Sequence, residues 1–356
     1  MKDTPEAGAL DDIAPCDIGL VMHQAEAQSR GGPSVRVPRT VAALRALGVD
    51  ACVMHGGTPR LLAHVFNIWP FVQAYEAVRT MKRQGVRVAF SPILLLPGDG
   101  VHAVLGPPPT SGLPDYANLL VRKTLAEADM IIALSAAEAA LVQELAGGGT
   151  RCEVVPNPVD AAPLQQADPR LFLRHATARW TVDLSRGFVL AVGRIEPRKN
   201  QLRLIAALAD GPPLVIIGHD GDPDYAAACR GIAGPRVCFV ERLDSASGLL
   251  ASAYAACRLL AHVALGEGAT MVALEGAAAG APLLLSEHPA HRGYFGPFAR
   301  YVPALDVDAI RATALDLWVH PPLPGERRLQ SLHVAEAHHY ATHATRLAAL
   351  YADVLR

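Results

Sequence analysis

The chain has no surplus of either charge: 32 Lys and Arg stand against 34 Asp and Glu over 356 residues. A protein that neutralises a run of phosphates needs a basic excess, so a nucleic-acid partner is not expected, although a local basic pocket is compatible with the balance. Paired cysteines are lacking too. Cys16, Cys52, Cys152, Cys229, Cys238 and Cys257 stand singly, without the spacing of a zinc site or a disulfide framework, and read as reduced, mostly buried thiols of a cytoplasmic protein. Long apolar runs are missing as well. The longest candidate, residues 248–265, carries Arg258 and His262, so no membrane span is expected. The first residues, with Asp3, Glu6, Asp11 and Asp12 and no apolar core before Ile18, do not read as a secretory signal.

What is present is apolar residues in abundance, 51% of the chain, enough for two cores at this length. Short β-rich runs alternate with Ala/Leu/Arg stretches of helical period, the rhythm of an α/β protein with parallel sheets. Strands are expected at Asp17–His23, Val49–His55, Leu61–Phe66, Val86–Phe90, Met130–Leu134 and Cys152–Val155. Val37, Val41, Leu44 and Leu47 share one face of a first helix that should begin just before Pro38. Ser135 and Glu138 form a capping-box pattern for a helix Ala136–Leu145. A second alternation starts at Phe188–Val192 and continues through strands at Leu214–Ile217, Val237–Val240, Leu259–Val263 and Pro282–Leu285. The expected division is a first domain over 1–158, an irregular connection over 159–185 and a second domain over 186–328. A last helix within 329–356 should pack back across both domains.

Ligands of open parallel sheets bind beyond the carboxyl ends of the strands. Three loops there carry chemistry. In Gln28-Ser29-Arg30-Gly31-Gly32, two glycines let backbone N–H groups approach an anion, although a tight turn explains a Gly pair equally well. In Gly193-Arg194-Ile195-Glu196-Pro197-Arg198-Lys199-Asn200, Arg194 and Lys199 are placed to meet a diphosphate as negative charge accumulates on it; a solvated loop is the alternative. In Glu267-Gly268-Ala269-Thr270-Met271-Val272-Ala273-Leu274-Glu275, two carboxylates eight positions apart suit pairs of hydroxyl groups, with a helix N-terminus between them. Ala273, Gly276, Ala277, Ala278 and Ala279 let that helix pack closely where a charge is otherwise expensive.

Together with Val154-Val155-Pro156-Asn157-Pro158-Val159-Asp160 at the domain junction, and with Gly280 and Pro282 behind the Glu pair, these segments resemble the retaining family 4 glycosyltransferases. The resemblance runs from about residue 17 to 310. It implies the GT-B fold, two Rossmann-like domains facing a central cleft, and transfer from a nucleotide-diphosphate sugar donor to a glycan or lipid-linked acceptor. It further implies that Arg194 and Lys199 bind the diphosphate, Glu267 a sugar hydroxyl and Glu275 the ribose. Gly31 and Gly32 would then lie near the diphosphate, with the N–H groups of Ala269, Thr270 and Met271 facing sugar and phosphates. Glu267, Arg194 and Lys199 are the residues expected to carry catalysis, without a cofactor or a metal, in polysaccharide biosynthesis.

The chain departs from the family at three places. Ala269 and Thr270 replace an aromatic or Pro and a Gly. No His follows the fourth strand, which runs into Ser91-Pro92-Ile93-Leu94-Leu95-Leu96; His102 lies on the next loop. Gly293, within the expected loop His288–Gly296, stands where relatives often have Glu. A non-catalytic nucleotide-sugar-binding or partner-binding relative, or an epimerase on the same fold, is the alternative reading. Asp220-Gly221-Asp222 reads as a turn rather than a metal site. His333, His338, His339 and His343 read as a polar helix face. Arg79, Lys82, Arg83 and Arg87 form a basic group that reads as a solvated helix face, with peripheral contact with an inner membrane leaflet as the alternative. The long loop Pro97–Pro114 is an acceptor-side candidate.

Overall fold

Runs such as Leu214-Val215-Ile216-Ile217 are buried at every position, which is what a strand covered by helices on both faces requires. The computed structural model describes residues 16–22, 32–97, 113–243, 247–268 and 271–356. Among these, one parallel sheet is built from β1 (Ile18–Val21), β2 (Ala51–Met54), β3 (Leu62–Phe66) and β4 (Arg87–Ser91), with β6 (Met130–Ala133) and β7 (Cys152–Val154) beyond; a short β5 (Leu96–Pro97) lies outside it. Its order is β2-β1-β3-β4-β6-β7. The second parallel sheet has β8 (Val189–Val192), β9 (Leu214–Ile217), β10 (Val237–Val240), β11 (Leu259–His262), β13 (Leu283–Ser286) and β14 (Ala299–Val302), in the order β10-β9-β8-β11-β13-β14. Between them, β12 (Gly266–Glu267) pairs antiparallel with β5, Gly266 opposite Pro97 and Glu267 opposite Leu96.

Helices cover both faces of each sheet. In the first domain Leu20, Leu44, Leu62 and Met130 fill one side and Val78, Phe90, Leu125 and Ile131 the other. In the second, Phe172, Phe188, Leu190 and Tyr254 lie on one side and Ile205, Ile216, Leu284 and Ile310 on the other. The helix Ala136–Ala146 starts as its cap predicts, with Ser135 Oγ accepting the Glu138 N–H. The Glu138 carboxylate turns elsewhere, to the amides of Leu134 at 2.6 Å and Leu94 at 2.7 Å.

Several expectations need correction. The first helix spans Gly32–Ala46 and runs through Pro38. Burial of Val37, Val41 and Leu44 outweighs the one backbone hydrogen bond that Pro removes, while Leu47 stays exposed beyond the helix end. Residues 161–165 and 169–177 are helical rather than irregular: Asp168 caps the second of these helices and Leu164 and Phe172 enter the second domain's core. The last helix is two, Pro324–Ala337 and Tyr340–Leu355, divided where the His339 side chain accepts the Ala341 N–H. The first seats Gln330 and Ser331 on the carbonyls of Ala281 and Ala278; the second buries Leu347 and Tyr351 in the first domain. Cys16 and Cys52 are not thiols but a disulfide, because β1 and β2 are parallel neighbours that bring residues 36 apart into contact. Cys152, Cys229, Cys238 and Cys257 remain unpaired. No helix of the described residues is long and apolar enough to cross a membrane.

Candidate functional site

In the second sheet the chain runs outward from β8 through β9 to β10, then returns to place β11 on the other side of β8. The loops that follow β8 and β11 therefore diverge at one crevice, where an open α/β sheet binds its ligands. Both loops are braced. Gly193 follows β8 at φ +144°, a value an L side chain rarely adopts, and a turn over Pro197–Lys199 leads to Asn200 at φ +61°. The buried Asn200 amide donates to the Val263 carbonyl at 2.9 Å and the Ala304 carbonyl at 2.7 Å. Gln201 Nε2 donates to the Arg194 carbonyl at 2.8 Å, and the Leu265 N–H to the Arg198 carbonyl at 2.8 Å.

These braces bring Glu267 against the Gly193–Asn200 loop. Its side chain, only 5% exposed, receives Lys199 Nζ, Arg198 Nη1 at 3.2 Å and His262 Nε2 at 3.0 Å. Burial by itself would raise the carboxyl pKa, but Lys199, His262 and Arg198 together outweigh it and hold Glu267 well below the usual range. Lys199 is lowered by the same burial, partly offset by Glu267. His262 is lowered too, first by burial and then by Lys199, so its ring is neutral at neutral pH. Arg198 Nη2 also reaches Glu196 Oε1 at 2.8 Å, which joins a second carboxylate to the group gathered on Glu267 Oε1.

The first domain closes over this cluster. The β5–β12 pairing lays Leu96 and Pro97 along Gly266 and Glu267, and His288 Nε2 donates to the Leu96 carbonyl at 2.8 Å. A Cβ on Gly268 would fall 2.7 Å from the Leu94 carbonyl oxygen, so backbone meets backbone there. Tyr294 lies on the helix Pro289–Phe295, which forms where a loop was expected; Pro289 starts it and His288 caps it.

Of the residues singled out from sequence, Lys199 and Glu267 are in contact. Arg194 is apart from them: its side chain is 54% exposed and reaches Glu196 Oε1 at 3.4 Å. Glu275 sits on the helix Met271–Ala278, which Met271 opens, and its Oε2 accepts the Tyr254 hydroxyl at 2.8 Å; burial raises its pKa. Gly32 opens the helix Gly32–Ala46. Gly31, Ala269, Thr270, His102 and most of the Pro97–Pro114 loop lie outside the described residues. Asp220 pairs with Arg230 at 2.8 Å and Asp222 caps the next helix. His338 and His343 bind the carbonyls of Asn157 and Pro156. Among the described residues no group of His, Cys, Asp or Glu is arranged to hold a metal ion. Lys82 and Arg87 of the basic group both pair with Asp129.

Sequence reading missed Arg198, His262 and Glu196. Arg198 and Glu196 lay inside a segment already singled out, but only the fold shows which charges face Glu267. The signal for His262 was a histidine in the apolar run Leu259-Leu260-Ala261-His262, at the mouth of the sheet.

Residues 186–319 match the family model of the glycosyl transferases group 1. Over the whole chain, the fold is similar to a sucrose-phosphate synthase from Thermosynechococcus elongatus, with TM-score 0.78 and 17% identity over 95% of this chain and 98% of that one. It is similar to HepE of Anabaena in complex with UDP and glucose, with TM-score 0.72 and 15% identity over 95% and 100%. A third likeness is a UDP-forming α,α-trehalose-phosphate synthase from Burkholderia xenovorans in complex with glucose-6-phosphate, with TM-score 0.64 and 14% identity over 83% and 73%. No curated protein sequence matches the chain. At these identities the structural likeness establishes the fold, two Rossmann-like domains in the GT-B arrangement.

Proposed function

We propose that this protein, whose residues 186–319 match the glycosyl transferases group 1 model, moves a sugar from a nucleotide-diphosphate sugar to an acceptor hydroxyl with retention of configuration. The observation that carries this reading is the meeting of Lys199 and Glu267 at the switch point of the second sheet, where a cation and an acceptor of hydroxyl hydrogen bonds lie side by side. In this reading Lys199 and Arg194 take the diphosphate, Glu267 a hydroxyl of the sugar, and Glu275 the ribose. The N–H of Met271 faces the phosphates.

As the bond from the anomeric carbon to the phosphate oxygen breaks, negative charge grows on the leaving diphosphate. Lys199 and Arg194 stabilise that charge without a metal. The acceptor oxygen bonds to the anomeric carbon on the face the diphosphate leaves, and a phosphate oxygen takes the acceptor proton. Lys199 lies against Glu267, and in this reading it turns from carboxylate to phosphate as the donor arrives.

UDP-sugars are the first donors to try, because HepE is seen with UDP and with UDP-glucose. On the acceptor side, Trp69, Leu95, Tyr116 and Leu119 are exposed apolar residues on first-domain segments near the carboxyl ends of its strands. They suit a lipid-linked acceptor in polysaccharide biosynthesis, met at the inner face of a membrane from the cytoplasm. The Cys16–Cys52 disulfide points the other way, since reducing compartments disfavour such bonds. Fractionation of cells into cytosol, membrane and exterior decides the location.

The test of the reaction is a thermal-shift screen with UDP, GDP, ADP and their sugar conjugates on wild type, Lys199→Ala and Glu275→Ala, followed by turnover with the donor that binds. One nucleotide should stabilise the wild type and both substitutions should abolish that shift. Stabilisation by none of them overturns the donor site.

A further inference from the structure

Three donors converge on Glu267, from Lys199, Arg198 and His262, and all of them reach the same oxygen, Oε1. None of these bonds goes to Oε2. We propose that His262 is a positioning residue for Glu267, holding Oε1 from behind so that Oε2 is turned to a hydroxyl of the transferred sugar. The inference rests on the donor-site reading above.

The three donors are not equivalent. Lys199 and Arg198 are cations, and an incoming diphosphate competes with Glu267 for both. His262 is neutral, since burial and the neighbouring Lys199 both disfavour its protonated form. A neutral imidazole whose Nε2 faces a carboxylate carries its proton on that nitrogen, so His262 donates a hydrogen bond without adding a charge. A phosphate therefore has little to draw it away. Once Lys199 turns to the diphosphate, the imidazole keeps the carboxylate in place.

The surroundings fix the ring itself. His262 is the last residue of β11, and all four residues of that strand are buried. The His291 ring stands edge-on to it, 5.7 Å between centroids, and is anchored in turn by the Ser286 carbonyl at 2.8 Å. Opposite, the backbone of Glu267 is held by its pairing with Leu96. Ring and carboxylate thus meet between two supports, and His262 and Glu267, five positions apart, cannot separate without breaking one of them.

A histidine that merely satisfies a buried carboxylate stabilises the fold and nothing more, so the test needs a readout beyond stability. His262→Leu keeps the bulk and loses the N–H; His262→Gln returns an N–H close to the position of Nε2. Calorimetric titration compares UDP with UDP-glucose, GDP with GDP-mannose and ADP with ADP-glucose on the wild type, then the bound pair on each variant. His262→Leu should bind the free nucleoside diphosphate within about twofold of wild type and its sugar conjugate about tenfold more weakly, with His262→Gln recovering most of that loss. If His262→Leu does not fold, His262→Asn takes its place, its amide being too short to reach Oε1. Equal losses for both ligands, no loss for either, or no recovery with Gln overturns the positioning role alone. A wild type that binds none of the six ligands overturns the donor site, and this inference with it.

Discussion

Tyr294 of the second domain donates its hydroxyl to the carbonyl of Leu134, the residue that follows β6 of the first, at 2.8 Å. The same oxygen accepts the Asn157 N–H at 3.0 Å, at the point where the chain passes from one domain to the other. One side chain thus satisfies two buried backbone groups from the opposite domain. Tyr294→Phe removes both bonds and little else, and the orphaned groups should lower stability by about 1–3 kcal/mol. Urea unfolding measures it. An unchanged midpoint means that Leu134 and Asn157 find other partners and that Tyr294 does not tie the domains.

Asn200 separates two kinds of stabilisation that usually go together. Its backbone is left-handed at φ +61°, and its amide serves two buried carbonyls. Asn200→Gly keeps the conformational freedom and loses the bonds, whereas Asn200→Ala loses both. The expected order of stability is wild type, then Gly, then Ala, with about 1 kcal/mol between the two variants. Alanine equal to or above glycine in thermal melts contradicts the left-handed geometry.

The alternation of apolar runs and helical periods was enough to locate β9 end to end, because a strand buried on both faces leaves an unbroken apolar signature. The edge strand β14, Ala299–Val302, has an exposed Arg300 and no such run, and it went unseen. The site divides in the same way. Lys199 and Glu267 were legible because they stand in loops after strands, with the glycines and charges that such loops need. His262 was not, since its partner lies across a loop whose path depends on Asn200, Val263 and Ala304 meeting in space. The β5–β12 bridge was equally hidden, being two residues from each domain with no periodicity to betray them.

Two glycines should respond in opposite directions to the same added methyl group. At Gly218 a Cβ would fall 1.9 Å from the carbonyl oxygen of Gly193, and that backbone carries the loop to Lys199. Gly218→Ala should therefore cost about 3 kcal/mol and weaken nucleotide binding. Gly231, exposed on the helix Pro223–Ile232, has nothing within 4 Å of an added Cβ. Gly231→Ala should stabilise by about 0.5 kcal/mol. Denaturant midpoints of the pair are the measurement. A mild Gly218→Ala shows that the Gly193 loop yields where the structure has it fixed.

Acid should unfold this protein earlier than its carboxylates alone would dictate. Burial lowers the pKa of six histidines, His64, His175, His262, His291, His338 and His343, with His291 and His343 brought down to about 3. An unfolded histidine takes up its proton near pH 6.5, while His291 and His343 stay neutral in the fold down to about pH 3. Their contribution is thus complete above pH 6.5 and is lost as pH falls toward 3, at about 1.4 kcal/mol per ring and pH unit. Two buried carboxyls oppose this. Burial raises Glu138 to about 7 and also raises Glu275, and each adds stability as pH falls through its folded pKa. Six rings against two carboxyls leave a net loss between pH 6.5 and 4, measurable as a falling urea midpoint. His343→Asn, whose amide nitrogen lies close to the position of Nδ1 and so keeps the bond to the Pro156 carbonyl that Nδ1 makes at 3.0 Å, should flatten that slope by about one ring's share. A slope unchanged by the substitution means that the ring already titrates normally in the fold, and that water reaches it between Tyr340–Leu355 and the first domain.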